Sequence, residues 1–94
     1  PDDPFTRFAL AQEYLKDDRV EEARDLFETL EEEQPDYVGT YYHLGKLYER
    51  LDRKEEAIET YDRGIEVAEE QADTHAKSEL QDARMQALGI GFDD

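Results

Sequence analysis

Side chains that could perform catalysis are few in this 94-residue chain, and their spacing does not bring them together. The histidines are His43 and His75, and the serine is Ser78. Nucleophilic catalysis needs a nucleophile, a base and an orienting carboxylate on one face. No such set falls on a shared face of the elements predicted below, so the sequence predicts a protein that is not an enzyme.

Carboxylates are abundant, but their spacing is not that of a metal site. Neither Asp17-Asp18 nor Glu31-Glu32-Glu33 has the alternating ligands and the glycine turn of a calcium loop. The chain contains no cysteine, which excludes thiolate metal sites and disulfides and favours a reducing cytoplasm. We therefore expect no metal and no cofactor, and we interpret both acidic runs as solvated surface.

The net charge of −16, from 27 acidic and 11 basic residues, restricts the possible partners. Nucleic acids and anionic membrane surfaces are bound through lysine and arginine, and no basic stripe is present. No apolar run approaches the roughly 20 residues of a membrane span. Such a surface resembles that of proteins from salt-loving organisms, although it is also consistent with an ordinary acidic surface. Because salt screens self-repulsion, we expect added salt to stabilise the fold.

Apolar residues recur at intervals of three and four along the chain, a pattern that predicts five helices and no strand. Asp3 and Asp73 are predicted to cap the first and fifth helices. Asp18 with Glu21, and Asp52 with Glu55, resemble capping boxes that would open the second and fourth. The helices are predicted to run from Asp3 to about Lys16, from Asp18 to Gln34, over about 37–51, over about 54–70 and from Asp73 to Gly89.

The sequence repeats itself at a spacing of 34 residues without a gap. This shift aligns Leu10 with Leu44, Tyr14 with Tyr48, Ala23 with Ala57, Phe27 with Tyr61, and Asp18-Arg19 with Asp52-Arg53. A repeated helix pair implies stacking, because one pair cannot bury its apolar face alone.

The repeat resembles the tetratricopeptide repeat in both its period and its residues. The second copy matches the pattern at Tyr41, Leu44, Gly45, Tyr48, Ala57, Tyr61 and Gly64, and the first at Leu10, Ala11, Tyr14, Ala23, Phe27 and Pro35. Arg7, Leu30 and Glu69 depart from it. The resemblance implies an all-α, right-handed superhelix of antiparallel helix pairs, with repeats over about 4–37 and 38–71.

The fifth helix, over about 73–88, continues the pattern weakly and is expected to be a capping helix. Ser78, Glu79 and Asp82 stand where Leu, Gly and Tyr would recur. The tail over 89–94 is predicted either to fold back or to fray.

In the tetratricopeptide family the first helix of each pair lines a concave groove that binds peptides or a partner's helix. The resemblance places in this groove Phe5, Phe8, Gln12 and Leu15, then Tyr42, His43, Lys46, Glu49 and Arg50, and finally Ala76, Lys77 and Leu80. Phe8 and Tyr42 are expected to be exposed aromatic side chains. Beside Lys46 and Arg50, they would suit a peptide that carries an apolar side chain near a carboxylate.

Some family members bind the acidic C-termini of chaperones through a clamp of lysine, asparagine and arginine. This sequence has Phe8, Gln12, His43, Asp73 and Lys77 at the corresponding positions, so chaperone-tail binding is not expected. The sequence predicts a module that binds a protein or peptide. The alternative is a structural homodimer formed through an unshielded end or through the groove.

Overall fold

The computed structural model describes residues 3–89, which form five helices and contain no strand. The helices are α1 (Pro4–Lys16), α2 (Val20–Glu33), α3 (Gly39–Arg50), α4 (Lys54–Glu70) and α5 (Thr74–Leu88). This confirms the all-α fold class. The prediction for the tail concerns residues 90–94, which lie outside the described part of the chain.

Each helix packs mainly against its neighbour in sequence, so the fold is a stack of helix pairs. The closest packing joins α1 to α2, α3 to α4 and α4 to α5, while α2 also packs on α3 and α3 on α5. The predicted caps at both ends of the stack are confirmed. An Asp3 oxygen accepts the Phe5 N–H at 3.2 Å, and an Asp73 oxygen accepts the Ala76 N–H at 3.0 Å.

The predicted capping boxes at Asp18 and Asp52 were wrong. Both residues have φ +64, in the left-handed region, and α2 and α4 begin two residues later with Arg19 and Arg53 at the N-cap and no side-chain cap bond. The aspartates instead close the preceding helix. Asp18 donates its N–H to Leu15 O at 3.0 Å, and Arg19 donates to Tyr14 O at 2.8 Å. This is the Schellman pairing, in which a short polar side chain tolerates the left-handed residue.

The same turn recurs at the end of α3, where Arg53 donates its N–H to Tyr48 O at 2.8 Å. It recurs again at the end of α4, where Asp73 donates to Ala68 O at 2.9 Å and Ala72 takes the left-handed position. Similar turns therefore end α1, α3 and α4.

The third helix was predicted to begin at Tyr37, but it begins at Gly39.

Aromatic side chains are the largest members of the core, and the buried tyrosines direct their hydroxyls to acceptors. Phe27, Tyr41 and Tyr61 are almost completely buried. Tyr41 donates to Pro35 O, Tyr48 to a Glu28 oxygen and Tyr61 to a Glu49 oxygen, each at 2.5 Å. Since a buried tyrosine needs a partner for its hydroxyl, these bonds determine how the rings sit between the helices.

One pair of equivalent residues differs in burial at the N-terminal end of the stack. Leu44 of α3 is completely buried, whereas its counterpart Leu10 of α1 is 44% exposed. The reason is that α2 packs over α3, while no helix in residues 3–89 occupies the matching position before α1.

Candidate partner-binding groove

The twelve predicted groove residues lie on α1, α3 and α5, and one polar contact joins the first two of these helices. Gln12 Nε2 lies 3.1 Å from His43 Nδ1. The same Gln12 nitrogen lies 3.4 Å from His43 Nε2, so the Gln12 amide is placed to donate to the unprotonated nitrogen of a neutral imidazole. Phe8 packs against the same imidazole with its ring centroid at 4.9 Å, which fixes α1 beside α3.

His43 is half-buried in the groove, within a cluster of aromatic rings. The Tyr42 ring centroid is 5.4 Å away in an edge-on arrangement, and Phe27 of α2 stacks nearly parallel at 6.3 Å. Burial lowers the pKa of His43, and the carboxylate of Glu79 opposes this shift only in part. The imidazole is therefore neutral at pH 7, which matches its role as an acceptor for Gln12.

The expectation that Phe8 and Tyr42 are exposed was wrong, because both are half-buried and pack against the core. Phe8 makes edge-on contacts with Phe27 and with Tyr37, each at 5.8 Å between ring centroids. The contacts of Phe8 with Tyr37 and Phe27 were not predicted. Neither residue lies on a groove helix, so the repeat pattern did not indicate these contacts.

The remaining apolar groove residues range from exposed to fully buried. Phe5 is 66% exposed at the start of α1. Leu15 and Ala76 are half-buried, whereas Leu80 is a core residue that packs under α4 close to Gly64. Leu80 is therefore not available to a partner, and Phe5 is the large apolar groove residue that faces solvent.

The charged groove residues differ in whether the fold already supplies a partner. Arg50 pairs with Asp18, and Lys77 Nζ lies 3.0 Å from a Glu69 oxygen. Glu49 accepts the Tyr61 hydroxyl. Lys46 is half-buried, its Nζ lies 5.6 Å from the Tyr42 ring centroid, and no acidic group of residues 3–89 lies within 4 Å of it.

A second concave surface, lined by apolar and polar side chains, lies at the N-terminal end of the stack. A cleft of about 270 Å³ opens there between α1 and α2, and it is lined by Leu10, Tyr14, Glu22, Asp25, Leu26 and Thr29. The repeat alignment assigned Leu10 and Tyr14 to the packing stripe. We refer to this cleft as the N-terminal cleft.

Within residues 3–89, no cluster of three or more histidine, aspartate or glutamate side chains is placed to hold a metal ion. None of the five helices is long and apolar enough to cross a membrane.

Comparison with known proteins identifies relatives of the whole stack. Residues 14–88 match the tetratricopeptide repeat family model. A solution NMR structure of a tetratricopeptide repeat domain protein from Salinibacter ruber is 61% identical, with a TM-score of 0.92, and the match covers 100% of this chain and 95% of that one. A crystal structure of a tetratricopeptide repeat domain protein from Salinibacter ruber is 64% identical, with a TM-score of 0.89 and coverage of 93% and 98%.

Among curated proteins, the chain is 37% identical over 73 residues to the cellulose synthase operon protein C of Pseudomonas fluorescens. That match covers 78% of this chain but only 6% of the much longer relative.

Proposed function

This chain belongs to the tetratricopeptide repeat family, and we propose that it binds a peptide or helix of a partner protein against α1, α3 and α5. Domains of this family are general protein-interaction modules and are typically non-catalytic. The proposed role is therefore that of a non-catalytic adaptor. Its setting is proposed to be the cytoplasm, as the cysteine-free composition suggests.

The observation that favours the groove over other surfaces is its preorganisation. Gln12 and Phe8 of α1 both contact His43 of α3, and the imidazole is held between aromatic rings. Binding to a surface that is already ordered avoids the entropic cost of fixing side chains on association. Phe5, exposed at one end of this surface, provides an apolar contact for the ligand.

Selection of random displayed peptides on the immobilised domain tests this proposal, because it samples ligands without requiring an identified partner. We expect the selected peptides to shift the backbone amide NMR signals of Gln12, Tyr42 and Lys46. Phe5→Ser should weaken their binding about fivefold or more, which corresponds to about 1 kcal/mol of lost contact. Met85→Ser is the matched control, because Met85 is also an exposed apolar side chain, at 43%, but lies on α5 outside the groove set. Peptides that map elsewhere, or that tolerate Phe5→Ser, would contradict groove binding.

Self-association through the N-terminal cleft is the second candidate function. Leu10 is 44% exposed there, although the matching face of the second repeat is covered by α2. Light scattering at about 0.1 M and about 2 M potassium chloride distinguishes a monomer of 11.0 kDa from a species of twice that mass. A dimer that Leu10→Ser dissociates and Met85→Ser leaves intact would support this candidate. A monomer under both conditions would eliminate it.

A further inference from the structure

We infer that the loop between α2 and α3 forms an end wall of the groove, in which Tyr37 contacts the bound segment. Gln71, which directly follows α4, is the positioning residue that holds this wall from outside the groove. The inference rests on the proposed function, because it adds a binding residue and a positioning residue to the same groove. Neither residue lies on α1, α3 or α5.

Pro35 gives this loop a path that the second repeat does not share. Proline cannot continue a helix, because it lacks the backbone N–H and its ring clashes with the preceding turn. Accordingly α2 ends at Glu33, and residues 34–38 lead to α3. In the second repeat Glu69 takes the place of Pro35, and α4 continues to Glu70. The loop that carries Tyr37 is therefore specific to the junction before α3.

Tyr37 lies at the end of the groove where α3 begins. Its ring makes an edge-on contact with Phe8 of α1, and its Cε2 lies 3.7 Å from the position of a Cβ added at Gly39. Phe5, which is 66% exposed, lies one turn before Phe8 on the same face of α1. Tyr37 is half-buried, and its hydroxyl forms no hydrogen bond with another group of residues 3–89, unlike the buried tyrosines of the core. Its exposed part is therefore available to a segment that packs on Phe5.

Two hydrogen bonds fix the loop immediately before Tyr37. Pro35 O accepts the hydroxyl of Tyr41 at 2.5 Å. Asp36 O accepts the side-chain amide of Gln71, also at 2.5 Å. Gln71 is exposed and is the repeat equivalent of Tyr37, so the second repeat uses this position to hold the loop of the first. Because an ordered surface loses less entropy on association, the Gln71 bond should favour binding without touching the bound segment.

The segment that fits this wall carries an apolar side chain next to a hydrogen-bonding group. The apolar side chain would pack against the rings of Phe5 and Tyr37, since aromatic side chains supply much of the energy at interfaces. The Tyr37 hydroxyl can donate to a backbone carbonyl of the segment or accept from its N–H. This contact requires no charged group on the segment.

NMR titration with the peptides that display selects on wild type tests the inference. Gln71→Met removes the amide donor and keeps the length of the side chain, whereas Gln71→Lys keeps an N–H donor. Gln86→Met is the matched control, because Gln86 is an exposed glutamine on α5 outside the groove set. Tyr37→Ala removes the ring of the wall, and circular dichroism checks that each variant is folded.

We expect Gln71→Met to weaken binding of the selected peptides about fivefold, and Gln86→Met to change it by less than about twofold. Gln71→Lys should recover part of the loss. Without peptide, Gln71→Met should shift the backbone amide signals of Asp36 and Tyr37. In a Tyr37→Ala background Gln71→Met should cause no further loss of affinity, because both substitutions act on the same contact.

Equal binding by Gln71→Met and Gln86→Met would overturn the inference, and so would a loss that persists in the Tyr37→Ala background. It also fails, while groove binding stands, if the selected peptides shift the signals of Gln12, Tyr42 and Lys46 but not that of Tyr37. If display selects no groove peptide, the proposed function fails and the inference fails with it.

Discussion

Replacing Gly45 by alanine should destabilise the fold, although alanine is the better helix former. A Cβ added at Gly45 would clash with the edge of the Tyr61 ring, because it would lie 2.7 Å from both Cδ1 and Cζ and closer still to Cε1. Tyr61 is completely buried and its hydroxyl is bonded to Glu49, so the ring has little room to move. Overpacking costs about 1–3 kcal/mol, and a clash this close with a buried ring places the cost at about 3 kcal/mol, against a gain of about 1 kcal/mol in helix propensity. We expect a net loss of about 2 kcal/mol and a fall in Tm of about 10 °C.

Urea unfolding followed by circular dichroism measures this change in the free energy of unfolding. The comparison is valid when the slope of that free energy against urea concentration is the same for the variant and the wild type. Gly39→Ala is the matched control in the same helix, because its added Cβ would meet Phe8 and Tyr37 at an ordinary 3.7 Å. It should leave the stability unchanged or raise it slightly. In a Tyr61→Leu background the cost of Gly45→Ala should largely disappear, which would assign it to this contact. A Gly45→Ala variant as stable as wild type would refute the argument.

Three further perturbations test the turns and charges of the fold. Ala72 has φ +55 in the turn after α4, so Ala72→Gly should raise the free energy of unfolding by up to about 1 kcal/mol, measured as an increased urea midpoint. Because burial lowers the pKa of folded His43, the unfolded chain binds the proton more readily, and stability should fall as the pH drops below about 6.5. His43→Gln should remove that part of the pH dependence in urea melts. Added potassium chloride should raise the Tm, because it screens the net charge of −16, and a flat response would contradict this.

The helices could be predicted from the sequence because their apolar spacing and their end caps agree. Asp3 and Asp73 precede helices as expected, whereas Asp18 and Asp52 were assigned to the wrong helix. An aspartate between two helices can accept hydrogen bonds from the first backbone N–H groups of the following helix. Alternatively, it can adopt the left-handed conformation that ends the preceding helix. The choice depends on how the turn must orient the next helix, which is a tertiary constraint absent from the local sequence.

Repeat alignment predicted which residues lie on the groove helices, but it did not predict which side chains contact each other. Repeat alignment placed Phe8, Gln12 and His43 on neighbouring helices, yet it gave no indication that Gln12 bonds to His43 or that Phe8 packs on Phe27 and Tyr37. Those contacts depend on the separation of α1 and α3 and on the path of the loop before α3. Burial of Phe8 follows from them, which is why an aromatic side chain expected to be exposed is half-buried.

Comparison of the two repeats within this one chain separates residues that build the fold from residues free to determine specificity. At several packing positions the copies carry the same residue, as at Tyr14 and Tyr48, whose carbonyls accept the same turn hydrogen bond. At groove positions the copies differ, since Gln12 corresponds to Lys46. The same helical arrangement therefore accommodates an amide or an ammonium at this position. In the first repeat, the Gln12 amide bonds to His43 and so joins α1 to α3. In the second repeat, the Lys46 ammonium lies over the Tyr42 ring and has no acidic partner in the described part of the chain. The chemistry of the ligand is therefore expected to follow the side chains that differ between the repeats, with Lys46 foremost among them.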